Sequence, residues 1–350
     1  MLEVAAVTGS GSQPSSRFRV RQHIAALERF DVRVTDIPAR IDRFAQLLPP
    51  RFERSRLVRW PTRAIMHGIK AGSRLTDYLA ASEADVVWLQ KEMVPGTPSW
   101  EPLFRRPVVF DVDDAIWMIP PAGGLMARTL ARSAAVVVAG NQTLASYFSR
   151  YARRVETVPT AVDPDRFVPG TGLGDARIRI GWVGTAANLP HLCAIAPALA
   201  DVVRRDERVR VRIVSNQAPE LPGIPPERVE FVPWSVEQEV SAIQAFDIGL
   251  MPLSDDPWTR GKCAFKMLQY MACGIPSVVA PVGMNADVLA EGEVGLGARD
   301  MAEWRSALET LVSDASLRAR MGRAGRWLVQ ERYAASVVAA RLAGILHSVA

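Results

Sequence analysis

Cysteine and histidine are scarce: three of one and four of the other in 350 residues. Cys193, Cys263 and Cys273 have no metal-ligand spacing and no even count to pair. They exclude a zinc knuckle and a disulfide scaffold and read as reduced thiols. Long apolar runs are missing as well, and none approaches the ~18–20 residues that cross a bilayer. The first residues lack a basic stretch followed by an apolar segment and a cleavage site, so a cytoplasmic protein is expected. Charge of one sign is nearly absent in excess, with 42 basic against 37 acidic residues. Hydrophobic residues make up 49% of the chain, too many for a disordered tail. At roughly 100–200 residues per domain, this length suggests two domains, each with its own core.

The small basic excess is local. Between Pro38 and Leu75 stand Arg40, Arg43, Arg51, Arg54, Arg56, Arg59, Arg63, Lys70 and Arg74 against only Asp42 and Glu53, which leaves the rest of the chain slightly acidic. Phe44, Leu47, Leu48, Phe52, Leu57, Val58 and Trp60 interleave with these cations. Such a stretch suits an anionic membrane surface, each basic group contributing ~1 kcal/mol near the lipid. A solvated helix face has the same composition. No nucleic-acid recognition motif accompanies the charge, so nucleic acid is not an expected partner.

Short apolar runs alternate with helical stretches along the whole chain. Expected strands are 4–7, 32–37, 85–89, 108–110, 135–139 and 155–158, with helices over 17–29, 68–81 and 143–151. The breaker cluster Pro169-Gly170-Thr171-Gly172-Leu173-Gly174 then reads as a linker. A second series follows, with strands 178–183, 209–214, 229–232, 248–251 and 275–280 and helices 189–204, 236–244 and 262–272. From Arg299 to His347 the pattern is helical. The expected fold is therefore α/β, with two doubly wound Rossmann-like domains facing a cleft and a C-terminal helical tail. Its parts are 1–168, a linker 169–176, a domain 177–330, and a final helix 331–350 that crosses back to the first domain. Each parallel sheet should bind its ligand beyond the carboxyl ends of its strands.

Four stretches can carry chemistry. The first strand runs into Gly9-Ser10-Gly11, with Ser16, Arg17 and Arg19 close behind, a loop friendly to anions or hydroxyls. The third glycine of a dinucleotide fingerprint is replaced by Pro14, which argues against nicotinamide or flavin. Asp111, Asp113 and Asp114 end a buried strand. They are readable as a metal-diphosphate site, as the nucleophile pair of a haloacid-dehalogenase-type phosphatase, or as a metal-free polar rim for a hydroxyl-rich ligand; the rim reading is favoured. Gly184, Thr185 and Asn188 follow a strand and precede a helix, where backbone amides can cradle phosphate. Arg260, Lys262 and Lys266 gather where a helix is expected to begin near Gly261. The helix dipole disfavours cations there unless an anion lies between.

The stretch Leu268-Gln269-Tyr270-Met271-Ala272-Cys273-Gly274-Ile275-Pro276 resembles the nucleotide-sugar-binding helix of GT-B glycosyltransferases of family 4. That family typically carries Glu-x7-Glu running into this helix. Gln269 stands at the second Glu, which in the family binds the ribose hydroxyls, and Gly261 at the first. Val158-Pro159-Thr160-Ala161-Val162-Asp163-Pro164-Asp165-Arg166-Phe167 is similar to the family segment before its linker, and Asp113 stands where many relatives have a histidine near the transferred sugar. The resemblance implies retaining transfer from a nucleotide diphosphate sugar, without metal, cofactor or protein nucleophile. It gives Lys262 and Lys266 the leaving diphosphate, assisted by Arg260 and the amides at Gly184 and Thr185. Gln269 would hold the ribose, and Asp113 a sugar hydroxyl or the acceptor. The acceptor is expected to be a glycan, a lipid-linked molecule or a small molecule, met by Gly9, Gly11, Ser16, Arg17, Arg19 and Asp114. Two rivals remain: a magnesium-dependent phosphohydrolase using Asp111 and Asp113, and a nucleotide-sugar-binding protein without catalysis.

Overall fold

The structure is a computed structural model that describes residues 1–11, 13–43, 45, 47, 56–171 and 173–350, with the side chains of 56–60 left aside. The chain divides into two compact units, Met1–Thr160 with Val338–Ala350, and Ala161–Val337. The division falls at 160/161, ahead of the breaker cluster, and the first unit takes back the chain from Val338 rather than from 331.

The first unit holds six parallel strands in the order β2-β1-β3-β4-β5-β6. They are β1 (Leu2–Thr8), β2 (Val32–Pro38), β3 (Val86–Gln90), β4 (Val108–Val112), β5 (Val136–Ala139) and β6 (Val155–Thr157). β3 and β4 are buried along their whole length, as near-continuous apolar runs covered on both faces must be. Val4 pairs with Val34 on one side and Val86 on the other, so the strand order reverses at β1 and β3. Helices α1 (Pro14–Arg19), α2 (Ile24–Leu27), α3 (Arg56–Ala81), α4 (Gly123–Ser133) and α5 (Gln142–Phe148) join the strands. The second unit repeats the plan in the order β12-β11-β10-β7-β8-β9. Its strands are β7 (Ile178–Val183), β8 (Val209–Ser215), β9 (Val229–Pro233), β10 (Ile248–Met251), β11 (Ser277–Val279) and β12 (Gly295–Gly297), and its reversal lies between β7 and β10. Helices α6 (Leu189–Ala194), α7 (Ala196–Arg205), α8 (Glu239–Gln244), α9 (Phe265–Ala272), α10 (Met284–Ala290), α11 (Met301–Ser313) and α12 (Ala315–Leu328) cover it, and α13 (Ala335–His347) ends the chain.

Three expected helices differ in ways that matter below. The stretch 17–29 breaks at Val20, whose backbone leaves the helical region (φ −125°, ψ −67°), and continues only in short turns. The stretch 189–204 breaks at Ile195, two residues before Pro197, whose ring cannot follow a helix without clashing with the preceding turn. The helix expected from Lys262 begins three residues later, because Ala264 adopts a left-handed conformation (φ +50°). Among the described residues no single helix is long and apolar enough to cross a membrane. Phe44, Leu48, Arg51, Phe52, Glu53 and Arg54 of the basic 38–75 segment lie outside the described residues.

Candidate functional site

In the first unit the three aspartates at the end of β4 separate into two groups. Asp111 is fully buried and takes both ends of the Arg19 guanidinium, Nε to Oδ1 at 2.8 Å and Nη2 to Oδ2 at 2.9 Å. Arg19 gives its remaining nitrogen to the Val158 carbonyl at 2.8 Å and to Thr160 Oγ1 at 3.4 Å. A bidentate pair with all three guanidinium nitrogens engaged ties the turn after β1 to β4 and to the end of the β6 segment. Arg19 therefore serves the interior rather than an acceptor loop, and Asp111 is not exposed as a phosphatase nucleophile would be.

Asp113 and Asp114 instead share Lys91, which follows β3 with a left-handed backbone (φ +61°). Lys91 Nζ lies 2.9 Å from Asp113 Oδ1, pairs with Asp114, and donates to Ser15 Oγ at 3.0 Å. Burial alone would lower the Lys91 pKa, but the two carboxylates outweigh it and hold the ammonium charged. Burial likewise pushes Asp113 up, yet Lys91 and then Arg19 win and keep its carboxylate ionised. Asp113 thus stands as an anionic hydrogen-bond acceptor at a strand end. Ser16 is buried, accepts the Gly9 amide at 3.0 Å and donates to Gln90 Oε1 at 3.0 Å. The Gly11 carbonyl accepts from Arg21, and Arg17 lies over the Phe18 ring at 4.1 Å. Sequence reasoning missed Lys91; the signal was one cation ending the strand beside a strand ending in three acids.

In the second unit the geometry centres on Lys266. Tyr270, one helical turn further along α9, is fixed between the two strands at the reversal: it accepts from the Val183 amide at 3.2 Å and donates to the Leu250 carbonyl at 3.1 Å. A Cβ on Gly249 would stand 2.3 Å from the Tyr270 ring, so glycine in β10 is what admits the tyrosine. Residues four apart share a helix face, and Lys266 is thereby carried to the end of β7. Its Nζ lies 5.0 Å over the Trp182 ring, and a Cβ on Gly184 would come within 3.0 Å of it. Lys266 has no carboxylate partner among the described residues. Burial, and then the charge of Lys262, lower its pKa to about 7. Lys262 itself stands 5.9 Å from the Trp258 ring.

The neighbouring groups are mostly basic, and the nearby carboxylate of Asp256 is engaged by backbone amides. His191, in α6, accepts from the Ser254 amide at 3.4 Å, and burial followed by Lys262 and Lys266 lowers its pKa. Asp256 accepts the Trp258 and Thr259 amides at 2.9 Å each and so builds the turn that presents Lys262. Thr185 is exposed, and its hydroxyl accepts from Asn188 Nδ2 at 3.0 Å, closing the loop after β7 on itself. The Gly184 amide is used by the Val214 carbonyl at 3.0 Å. Two expected partners face elsewhere. Arg260 is exposed and pairs with Asp255. Gln269 is buried and meets Glu239 Oε1 at 3.3 Å, while Glu239 also pairs with Arg166 at 3.6 Å. Two amines and an imidazole thus crowd the end of β7, an arrangement that a bound anion would relieve by favouring their charged forms.

Residues 177–314, most of this second sheet, match the family of glycosyl transferases described as group 1. That stretch is similar in sequence to the group 1 glycosyl transferases. The chain is 29% identical over 195 residues to a D-inositol 3-phosphate glycosyltransferase of Stackebrandtia nassauensis, covering 48% of this chain and 43% of that protein. A namesake from Corynebacterium efficiens is 26% identical over 196 residues, covering 48% and 45%. The matched stretch therefore spans under half the length of these curated relatives. Whole-chain likeness is structural. A sucrose-phosphate synthase from Thermosynechococcus elongatus superposes with a TM-score of 0.74 at 14% identity, over 99% of both chains. Anabaena HepE in complex with UDP and glucose gives 0.72 at 15% identity, over 99% of this chain and 100% of that one. The fold is GT-B, and the group 1 match lies within the unit that carries Lys266.

Proposed function

We propose that the protein is a retaining glycosyltransferase that moves a sugar from a nucleotide diphosphate donor to a hydroxyl-bearing acceptor without a metal ion. The observation that carries this reading is Lys266, a recessed amine without a carboxylate partner among the described residues, held against Trp182 and the Gly184 turn beside Lys262. In the reaction the bond between the anomeric carbon and the diphosphate oxygen breaks, and its electron pair stays on the diphosphate. The acceptor oxygen forms the new bond and gives up its proton. Negative charge grows on the leaving oxygen, so cations fixed in advance at that point lower the barrier. Lys262 and Lys266 supply them, with the Thr185 region of the β7 loop alongside. Asp113, ionised by Lys91, is suited to accept a hydrogen bond from a sugar or acceptor hydroxyl.

The donor reading has support from HepE, whose solved complexes contain UDP and UDP-glucose. We place the enzyme in the cytoplasm, peripheral to the inner face of the membrane. The second half of the segment 38–75 lies in α3, which leaves Ile65, Ile69, Leu75 and Leu79 exposed. The test of donor class is thermal shift with UDP, GDP, ADP, CMP and dTDP, each in EDTA and in magnesium. One nucleoside diphosphate should stabilise the protein equally in both. Replacing Lys262 or Lys266 with Ala should then cut turnover by roughly tenfold or more, as for a lost charge-assisted contact to the leaving group. Stabilisation only with magnesium, or full turnover in both variants, overturns the assignment.

A further inference from the structure

The first unit has a polar pocket of its own, beyond the carboxyl ends of β1 and β3, where the strand order reverses. That is the position at which open parallel sheets bind ligands. Gly9, Gln13, Arg43, Lys70, Gln90 and Glu92 are among its walls. Several of its polar groups are already spent. Gln90 serves Ser16 and Asp113, Lys91 serves Asp113 and Asp114, and Arg74 is shared among Asp77, the Thr8 carbonyl and the Met93 carbonyl.

Three groups keep unused capacity. Glu92 is 5% exposed; its Oε1 accepts from Arg43 at 2.7 Å, while its Oε2 is buried with no hydrogen-bond partner among the described residues. Lys70 Nζ gives one hydrogen to the Arg43 carbonyl at 2.7 Å and has no carboxylate in salt-bridge reach among the described residues, which leaves two of its three hydrogens. Gln13 is 9% exposed, and its side-chain amide makes no hydrogen bond among the described residues. The amide is folded over Gly9: a Cβ there would stand 1.5 Å from Gln13 Oε1. The glycine after β1 thus makes room for Gln13 rather than for a ligand's backbone contact. A buried carboxylate oxygen left without a donor costs several kcal/mol, a cost that a ligand hydroxyl would remove.

We propose that this pocket binds the hydroxyls of a sugar or cyclic polyol, with Glu92 Oε2 accepting from one hydroxyl and Lys70 and the Gln13 amide engaging its neighbours. A bare anion would meet Glu92, and a cation would meet Lys70 and Arg43. Hydroxyls donate and accept at once, and so match the mixed set. That this ligand is the acceptor rests on the glycosyltransferase reading.

Saturation-transfer NMR on the full chain tests it, with D-glucose, D-mannose and myo-inositol as probes and UDP as an independent reporter on the second unit. At least one of the three should show contact with the wild-type protein. Glu92→Gln keeps an oxygen for Arg43 but turns the second position into a donor, and should weaken that contact roughly tenfold or more. Gln13→Ala removes a side chain with no hydrogen-bond partner among the described residues, and should weaken the contact while leaving the melting temperature unchanged. UDP contact should be the same in all three proteins. No signal from any of the three probes, or equal signals in wild type, Glu92→Gln and Gln13→Ala, overturns the proposal. Loss of UDP contact in the wild type refutes the donor reading and leaves the polyol result to stand by itself.

Discussion

Raising the pH from 7 to 9 should weaken binding of a nucleoside diphosphate, and Lys266 should be the reason. Its ordinary pKa of 10.5 falls to about 7, first through burial and then through Lys262. A diphosphate beside the amine opposes both effects, so binding is coupled to proton uptake. Above about 7 the free amine is mostly neutral, and each further unit should cost up to roughly tenfold in affinity, or 1.36 kcal/mol. His191 does not contribute, because its pKa is lowered from 6.5 and it is neutral throughout this range. Calorimetry with UDP in two buffers of different ionisation enthalpy should show uptake approaching one proton at pH 8.5. Lys266→Met should bind roughly 10–100-fold more weakly at pH 7 and lose the slope. Lys266→Arg should bind with no slope, since guanidinium stays charged. The stability of the free protein has the opposite dependence. The unfolded chain holds the proton up to pH 10.5 and the folded one only to about 7, so stability should rise with pH across that window. Lys266→Met should therefore stabilise the free protein at pH 7, by on the order of 2 kcal/mol once solvent screening is allowed for. A UDP affinity that is flat between pH 7 and 9, or a slope that survives in Lys266→Met, refutes this account.

Three other outcomes follow from the same geometry. Asp111→Asn removes the carboxylate charge paired with the buried Arg19, and should lower unfolding free energy by about 3–5 kcal/mol in urea titration, with UDP affinity unchanged in the folded protein; a drop below about 1 kcal/mol would mean the pair is not structural. Gly184→Ala would place a methyl 2.6 Å from the Trp182 ring and 3.0 Å from Lys266 Nζ. It should weaken UDP binding about tenfold while shifting the melting temperature by only a few degrees, and undiminished binding would remove Lys266 from the site. Co-sedimentation with vesicles should show binding to anionic lipid that salt weakens, and none to phosphatidylcholine alone. Ile65→Glu with Ile69→Glu should abolish it by placing carboxylates on the exposed α3 face; unchanged sedimentation would clear that face of a membrane role.

Apart from β12, whose Gly295-Leu296-Gly297 carries no strand signal, both sheets were legible because a fully covered parallel strand is largely apolar. Runs such as Val86-Val87-Trp88-Leu89 and Val136–Ala139 leave no second choice of structure. The helices were less legible, because their ends depend on single backbone angles. Nothing in Lys262-Cys263-Ala264-Phe265 announces that Ala264 takes a left-handed conformation. An α-helix started at Gly261 would put Lys262 and Gln269 on one face. The observed start at Phe265 puts Lys262 in a turn built by Asp256 and sends Gln269 inward to Glu239.

Charge sites were legible as composition and not as pairing. Asp111, Asp113 and Asp114 read as one acidic rim, yet Arg19 withdraws the first into the interior and Lys91 holds the other two at the strand end. The same applies to Arg260 and Lys266, six residues apart and alike on paper. One is exposed and answered by Asp255; the other is recessed with no carboxylate against it among the described residues. A cation that the fold answers stabilises the fold, and a cation kept unanswered at a free-energy cost calls for a ligand to answer it. That cost separates Lys266 from the other basic residues of the second unit, and it is the quantity that the pH titration of UDP binding measures.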